Sequence, residues 1–231
     1  ANPDKLTVIQ AVRNSDYANL FEQVYGAGSL DNTEAAFDQI ADAIAAFEIS
    51  DEVSPFTSKF DAFLAGQVAL TAQETRGLNV FQGIGQCADC HLLPLFTDHT
   101  YSNLGVPRNP DNPFYDQPPE FNPDGAAFVD LGLAANPQVL LPSENGKFKV
   151  PTLRNVAITP PYMHNGVFQT LEEVVNFYNT RDVLPQCDTA GIPGVNCWPA
   201  PEVADNVDTL RMGNLGLSSQ GKQKWLVKAF R

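Results

Sequence analysis

The 231-residue chain has little of what marks several common classes of protein. It contains no apolar run long enough to cross a membrane and no stretch with the pattern of a secretory signal peptide, so a transmembrane protein is not expected. Basic residues are scarce as well: 14 lysines and arginines face 27 acidic residues, for a formal net charge of −13. A surface of this sign repels nucleic acid and anionic lipid, and neither is an expected partner.

Cysteine and histidine are also few, with four and three copies, which makes their spacing informative. Cys87-Ala88-Asp89-Cys90-His91 has two thiols two residues apart and a histidine directly after them, which is the attachment motif of c-type haem. In such a motif Cys87 and Cys90 bond to the haem vinyl groups as thioethers, and His91 becomes the proximal iron ligand. The motif therefore predicts one covalent haem c.

Two other uses of a Cys-x-x-Cys motif explain the sequence less well. A structural zinc site would need a second pair of ligands at similar spacing, and the chain has none. A thioredoxin-like redox motif would stand near a βαβ pattern, which is not found, and it would leave the adjacent His91 unexplained. Covalent haem remains the preferred interpretation.

The other two cysteines, Cys187 and Cys197, flank a loop rich in glycine and proline. Because haem c is normally attached after export, we expect a periplasmic protein whose leader has been removed. In that oxidising compartment the two thiols are expected to form a disulfide that contributes about 2–3 kcal/mol of stability. Two free thiols are the alternative.

Helical patterns dominate at both ends of the chain. A predicted capping pair at Asp31–Glu34 precedes an amphipathic stripe, in which apolar residues recur every three or four positions. Stronger capping boxes, Thr71–Glu74 and Thr170–Glu173, predict one helix just before the haem motif and another beyond residue 170. A last amphipathic helix is predicted to begin at Ser218 or Ser219.

Between residues 94 and 151 proline and glycine are dense, and little periodicity survives. The many aromatic residues of this stretch argue against disorder, so we expect ordered irregular loops. The predicted fold class is all-α. It consists of a cytochrome c-like haem domain with long irregular loops over residues 71–231, preceded by a helical connecting segment over residues 1–70 that packs on the haem domain.

Several segments of the sequence resemble a known family. Residues 149–157 have the sequence KVPTLRNVA, residues 159–166 TPPYMHNG and residues 170–175 TLEEVV. Together with GQCADCH at the haem motif, they resemble the C-terminal half of the bacterial dihaem cytochrome c peroxidase and MauG family. The resemblance covers nearly the whole chain.

In that family two covalent haems lie in two domains, and the C-terminal haem exchanges electrons with the N-terminal haem that meets peroxide. The resemblance implies that this chain is the electron-transferring half, with residues 1–65 resembling the segment that joins the two domains. A second haem domain or chain would complete a cytochrome-c peroxidase-like or MauG-like oxidoreductase, which reduces peroxide or uses it to drive an oxidation. The electron donor would be a small cytochrome or a cupredoxin.

The sixth iron ligand bears on which function the haem serves. Classical peroxidases of the family place a methionine on the helix after the Tyr-x-His-x-Gly motif, and the matching position here is Tyr178, which resembles the MauG branch. A phenolate is an anionic donor that stabilises ferric iron, whereas methionine raises the reduction potential. Met163 or Met212 is the alternative ligand. A methionine ligand would favour the alternative function, a stand-alone periplasmic electron-transfer cytochrome without catalysis.

The resemblance implies supporting roles for four further residues. His164 is a candidate for a place near the haem rather than on the iron, and Arg154 for pairing with a haem propionate or across an interface, since guanidinium binds carboxylates bidentately. The family also binds a calcium ion between its domains, through backbone carbonyls that match Thr159 and Pro161. Oxygen ligands suit this cation, but a side-chain ligand would come from the second haem domain.

Overall fold

The computed structural model describes residues 4–139 and 141–218, which form two compact units that divide between Thr57 and Ser58. The described part of the chain is mostly helical, with little strand. The division comes earlier than the predicted boundary at residue 70, because Phe60 is buried in the core of the second unit. The predicted last helix lies outside the described residues apart from Ser218.

The first unit consists of three helices, α1 (Lys5–Arg13), α2 (Ala18–Tyr25) and α3 (Thr33–Glu48). Its core is a small apolar cluster contributed by all three helices and by the loop before α3: Ile9, Val12, Phe21, Leu30 and Ala36. The residues of the amphipathic stripe that the sequence predicted form helix α3, as expected. Its last turns remain open to solvent, since Ile44 and Phe47 are each 54% exposed.

The cap of α3 differs from the one that the sequence predicted. Asn32, not Asp31, caps the helix, and its side-chain oxygen accepts a hydrogen bond from the Ala35 amide at 3.0 Å. The Asp31 carboxylate instead pairs with Arg13 at 2.9 Å. A partner 18 residues away therefore takes the acceptor that the local pattern assigned to the cap.

The second unit contains α4 (Lys59–Leu64), α5 (Ala72–Gln82) and α6 (Leu171–Thr180). The predicted capping boxes of α5 and α6 are confirmed: the Thr71 and Thr170 side chains each accept a hydrogen bond from the amide three residues on, and the carboxylate at that position accepts one from the threonine amide. Because each box saturates amides that the first helical turn leaves unpaired, these two helices begin where the sequence indicates.

The segment between α5 and α6 is irregular but ordered. Its only paired strands among the described residues are β1 (Tyr101–Ser102) and β2 (Phe148–Lys149), which are antiparallel with Tyr101 opposite Lys149. Several short 3₁₀ helices complete it: Pro113–Asp116, Gly125–Ala127, Leu133–Ala135, Pro142–Glu144 and Val156–Ile158. The predicted irregular loops are therefore present. Two peptide bonds in this segment are cis, Leu93–Pro94 and Pro160–Pro161.

Two apolar clusters form the core of the second unit. The first, here the motif cluster, comprises Phe60, Leu78, Phe81 and Phe96, with Cys87, Ala88 and Val175 among the residues packed against it. The second, here the α6 cluster, comprises Val106, Phe168, Phe177, Trp198 and Met212, with Met163, Val174 and Tyr178 among those packed against it. Helix α6 contributes to both clusters and so connects the haem motif with the side of the core that carries Tyr178.

Candidate haem site

The haem motif follows α5 through a tight turn. Gln86 adopts a left-handed conformation with φ 52°, and residues Cys87–Asp89 form one turn of 3₁₀ helix. A Cβ atom at Gly85 would lie only 2.6 Å from the Val80 carbonyl oxygen, so the turn requires glycine there. The His91 amide then donates to the Cys87 carbonyl at 2.9 Å, which brings the motif's ends together. Cys87 and Cys90 are half-buried and are not joined by a disulfide.

The His91 imidazole is held by a hydrogen bond to the backbone. Its Nδ1 lies 2.8 Å from the Phe96 carbonyl oxygen. Because a carbonyl only accepts hydrogen bonds, Nδ1 carries the proton of the neutral ring and Nε2 is the unprotonated nitrogen. Burial lowers the pKa of His91, against the opposing effect of the Phe96 and Pro151 carbonyls. The result favours the neutral imidazole, which is the form that binds a metal.

Tyr178 lies in the last two turns of α6 and is half-buried. Desolvation raises the pKa of its phenol, and the thiols of Cys87 and Cys90 add to this electrostatically. The fold therefore brings Tyr178 within electrostatic range of both cysteines of the motif, although it lies 87 positions or more along the chain from the motif. A cation bound at the phenol oxygen would oppose this shift and favour the phenolate.

The two predicted alternatives to Tyr178 lie in the same part of the core. Met212 is a buried member of the α6 cluster, with 8% of its surface exposed, and Met163, like Tyr178, packs against that cluster. The structure thus brings all three predicted sixth ligands into one apolar region.

The supporting residues have partners that the sequence did not indicate. His164 stacks on Phe148 with ring centroids 3.5 Å apart and planes 8° apart. Burial lowers the pKa of His164, and the nearby Asp130 carboxylate opposes this shift. Arg154 pairs with Asp61 of α4 at 2.7 Å and also donates to the Pro94 carbonyl at 2.9 Å. It therefore ties α4 to the loop that follows the haem motif.

The predicted calcium positions lie at the surface. Thr159 and Pro161 are exposed; Pro161 follows a cis peptide bond from Pro160. No group of three or more His, Cys, Asp or Glu side chains in residues 4–139 and 141–218 is arranged to hold a metal ion. The predicted calcium ligands are backbone carbonyls, so their role as part of a calcium site stays a prediction.

The remaining predicted pair is joined. Cys187 and Cys197 form a disulfide with their Cα atoms 4.8 Å apart, as expected from the sequence. Across the described part of the chain, no helix is long and apolar enough to span a bilayer.

One residue beside the motif was missed by sequence reasoning. Nη1 of Arg211 lies 3.1 Å from Sγ of Cys90. The two residues are 121 positions apart, so no local pattern could have indicated the contact.

Comparison with known proteins identifies relatives over almost the full length of the chain. A family model described as di-haem cytochrome c peroxidase matches residues 1–69. Methylamine utilization protein MauG of Paracoccus denitrificans is 37% identical over 98% of this chain and 59% of its own length. Cytochrome-c peroxidase IdrP1 of Denitromonas iodatirespirans is 35% identical over 71% of this chain and 45% of its own. A variant of the diheme peroxidase BthA from Burkholderia thailandensis has a TM-score of 0.67 at 28% identity, covering 97% of this chain and 54% of the other.

A mostly helical protein with a c-type haem motif is the class that the fold and the site define. More particularly, the chain belongs to the dihaem cytochrome c peroxidase/MauG family, and membership implies haem c as the cofactor. The chain spans 59% of the length of MauG and 45% of that of IdrP1.

Proposed function

We propose that the second unit binds one covalent haem c through Cys87, Cys90 and His91, and that it is the electron-transferring half of a dihaem enzyme. The observation that carries the proposal is the hydrogen bond from His91 Nδ1 to the Phe96 carbonyl, which leaves Nε2 available beside two free thiols. The haem, when bound, supplies one-electron chemistry. The protein supplies the axial ligands, the apolar surroundings and a fixed orientation.

Tyr178 is the proposed sixth ligand. It packs against the α6 cluster, and its phenol is within electrostatic range of both cysteines of the motif. The similarity to MauG over 98% of the chain supports the same assignment. A phenolate on the iron would lower the reduction potential and favour the oxidised state, which suits a haem that stores oxidising equivalents rather than a simple carrier.

The electron partners follow from this role. A second haem domain or chain would meet peroxide, and a small cytochrome or cupredoxin would donate electrons. The oxidoreductase is then a peroxidase or a peroxide-driven oxidase of the MauG type. We place it in the periplasm, where haem c is attached, and we assign Thr159 and Pro161 as carbonyl ligands of a calcium ion that is completed by the second domain.

The alternative function is a stand-alone electron-transfer cytochrome. One observation favours it: Met212 is buried in the same cluster as Tyr178, and histidine–methionine ligation is that of ordinary electron carriers.

Spectroscopy of the haem-loaded protein separates the two functions. We expect one haem per chain from the intact mass, and we expect the ferric absorption and EPR spectra to change in Tyr178→Phe. Met212→Leu and Met163→Leu serve as matched controls in the same cluster and should retain the native spectra. A methionine-to-iron charge-transfer band in the native protein, lost in Met212→Leu, would overturn the tyrosine assignment and favour the carrier.

A turnover assay tests whether this chain transfers electrons while the second haem domain reacts with peroxide. A reduced small cytochrome should transfer electrons to the one-haem chain, while peroxide consumption should stay at the background rate. Sustained peroxide consumption by the one-haem chain would contradict the proposed role as the electron-transferring half.

A further inference from the structure

We infer that Arg211 is a positioning residue that raises the reduction potential of the haem attached at Cys90. The inference rests on the proposed haem attachment and goes beyond it, because it assigns a function to a residue outside the motif and its axial ligands.

The contact itself is specific. Arg211 Nη1 lies 3.1 Å from Cys90 Sγ, and Nη2 lies 3.3 Å from the Ser102 hydroxyl on β1. The other edge of the guanidinium binds Asp208, whose Oδ2 accepts from Nε at 2.6 Å. A guanidinium held on several sides keeps its charge in one place, which a freely rotating surface arginine does not.

The residue that aims Arg211 is itself fixed. Oδ1 of Asp208 accepts hydrogen bonds from the amides of Leu210 and Arg211 at 3.0 and 3.1 Å, which closes a tight turn. The Asp208 amide donates to the Asn103 carbonyl at 2.8 Å, and its own carbonyl accepts from Arg181 at 2.7 Å. The turn is thus anchored to the segment after β1 and to the end of α6. This anchoring places the Arg211 side chain against Cys90.

The charges around Cys90 give the contact its electrostatic meaning. The carboxylates of Asp89, Asp98 and Asp208 contribute negative potential at the Cys90 thiol, and the guanidinium of Arg211 contributes positive potential there. After haem attachment the Cys90 sulfur is bonded to the porphyrin side chain, so the same four charges act on the haem. Negative charge favours the oxidised haem and positive charge favours the reduced haem, so Arg211 offsets the carboxylates.

The size of the effect is limited by solvent. Arg211 is 41% exposed, and water and salt screen its charge more than they would screen a buried one. We therefore expect loss of the charge to lower the equilibrium constant for haem reduction about tenfold, or by about 60 mV for one electron.

The test is a redox titration of the haem-loaded protein followed by absorption. Arg211→Gln should lower the midpoint potential by that amount, and Arg211→Lys should retain most of the native value. Asp98→Asn, which removes an opposing charge, should raise it. Arg108→Gln is the matched control, because it loses the same charge at a residue that is not among the charges acting on Cys90, and its potential should equal the native one.

The outcomes distinguish this inference from the proposed function. Native protein that retains no covalent haem after denaturation would refute the haem assignment itself. Haem-loaded Arg211→Gln with the native potential, or an equal drop in Arg108→Gln, would overturn only the role of Arg211. If Arg211→Gln failed to load haem, Asp98→Asn would decide, and the absence of an upward shift would overturn the electrostatic account.

Discussion

At the residue scale, the pairing of Arg154 with Asp61 is the clearest feature that the structure adds. The guanidinium contacts both carboxylate oxygens, at 2.9 Å to Oδ2 and 2.7 Å to Oδ1. The hydrogen bond from Arg154 lowers the pKa of Asp61 from 3.8 to about 2, helped by Ser58 and opposed by burial. Since the two side chains are only 17% and 14% exposed, solvent screens the pair little. Arg154 thus holds α4 against the loop after the motif.

This pairing predicts an acid-sensitive contribution to stability. A carboxyl group whose pKa is lowered in the folded state stabilises the fold above its unfolded pKa of 3.8, and that stabilisation disappears as the pH falls through about 2. Asp61→Asn should therefore lower the free energy of unfolding by about 2 kcal/mol at neutral pH, and the difference from the native protein should shrink towards pH 2. Urea unfolding across this range measures it, with the exposed Glu120→Gln as the control. A difference that does not vary with pH would contradict the assignment.

At the element scale, residues 208–213 form a short segment, here called the strap, that is hydrogen-bonded to the end of α6. The Gly213 amide donates to the Tyr178 carbonyl at 2.6 Å, and the Gly213 carbonyl accepts from the Asp182 amide at 2.9 Å. Within the same strap Arg211 contacts Cys90 and Met212 packs in the α6 cluster. One short segment therefore connects the helix that carries the proposed sixth ligand with the haem motif.

Gly213 makes the strap sensitive to substitution. Its φ of +96° is unfavourable for other residues, and an added Cβ would collide with the Asp182 carboxylate, which Arg181 holds in place. Gly213→Ala should lower the free energy of unfolding by about 2 kcal/mol and broaden the haem spectrum by displacing α6. Gly216→Ala is the matched control: its φ is +64°, but an added Cβ meets nothing within 4 Å. Equal losses in the two variants, measured by thermal unfolding, would show that the contact with Asp182 is unimportant.

At the scale of the whole molecule, the excess of acidic residues is the property most relevant to the proposed electron donor. A net charge of −13 attracts a basic partner over long distances and raises the rate of encounter. Salt shortens the range of this attraction, from about 30 Å at 0.01 M to about 8 Å at 0.15 M ionic strength.

The charge predicts a salt-dependent rate of electron transfer. Reduction of the haem by a basic small cytochrome should slow several-fold as the ionic strength rises over that range, because steering is lost while the haem is unchanged. Stopped-flow absorption measures this rate, with an uncharged small-molecule reductant as the control that should not respond to salt. A rate that rises with salt would indicate that the donor meets a locally basic surface instead.

The sequence by itself determined those features whose interactions lie within a few residues of one another. The haem motif is contiguous, and the capping boxes at Thr71 and Thr170 each lie within one helical turn. Cys187 and Cys197 are the two cysteines outside the haem motif, so they were predicted to pair, and the structure joins them in a disulfide. Local hydrogen bonds and covalent chemistry depend on spacing along the chain, so spacing is enough to predict them.

Only the tertiary structure decided the long-range partners. Asp31 pairs with Arg13 instead of capping α3, Arg154 pairs with Asp61, and Arg211 reaches Cys90. The same is true of Tyr178 and Met163, which pack against the α6 cluster that contains Met212, although the three positions lie in different segments. Which charged and apolar groups meet depends on how distant segments fold against each other in three dimensions, and an irregular connection such as residues 94–151 gives no periodic pattern from which that packing could be predicted.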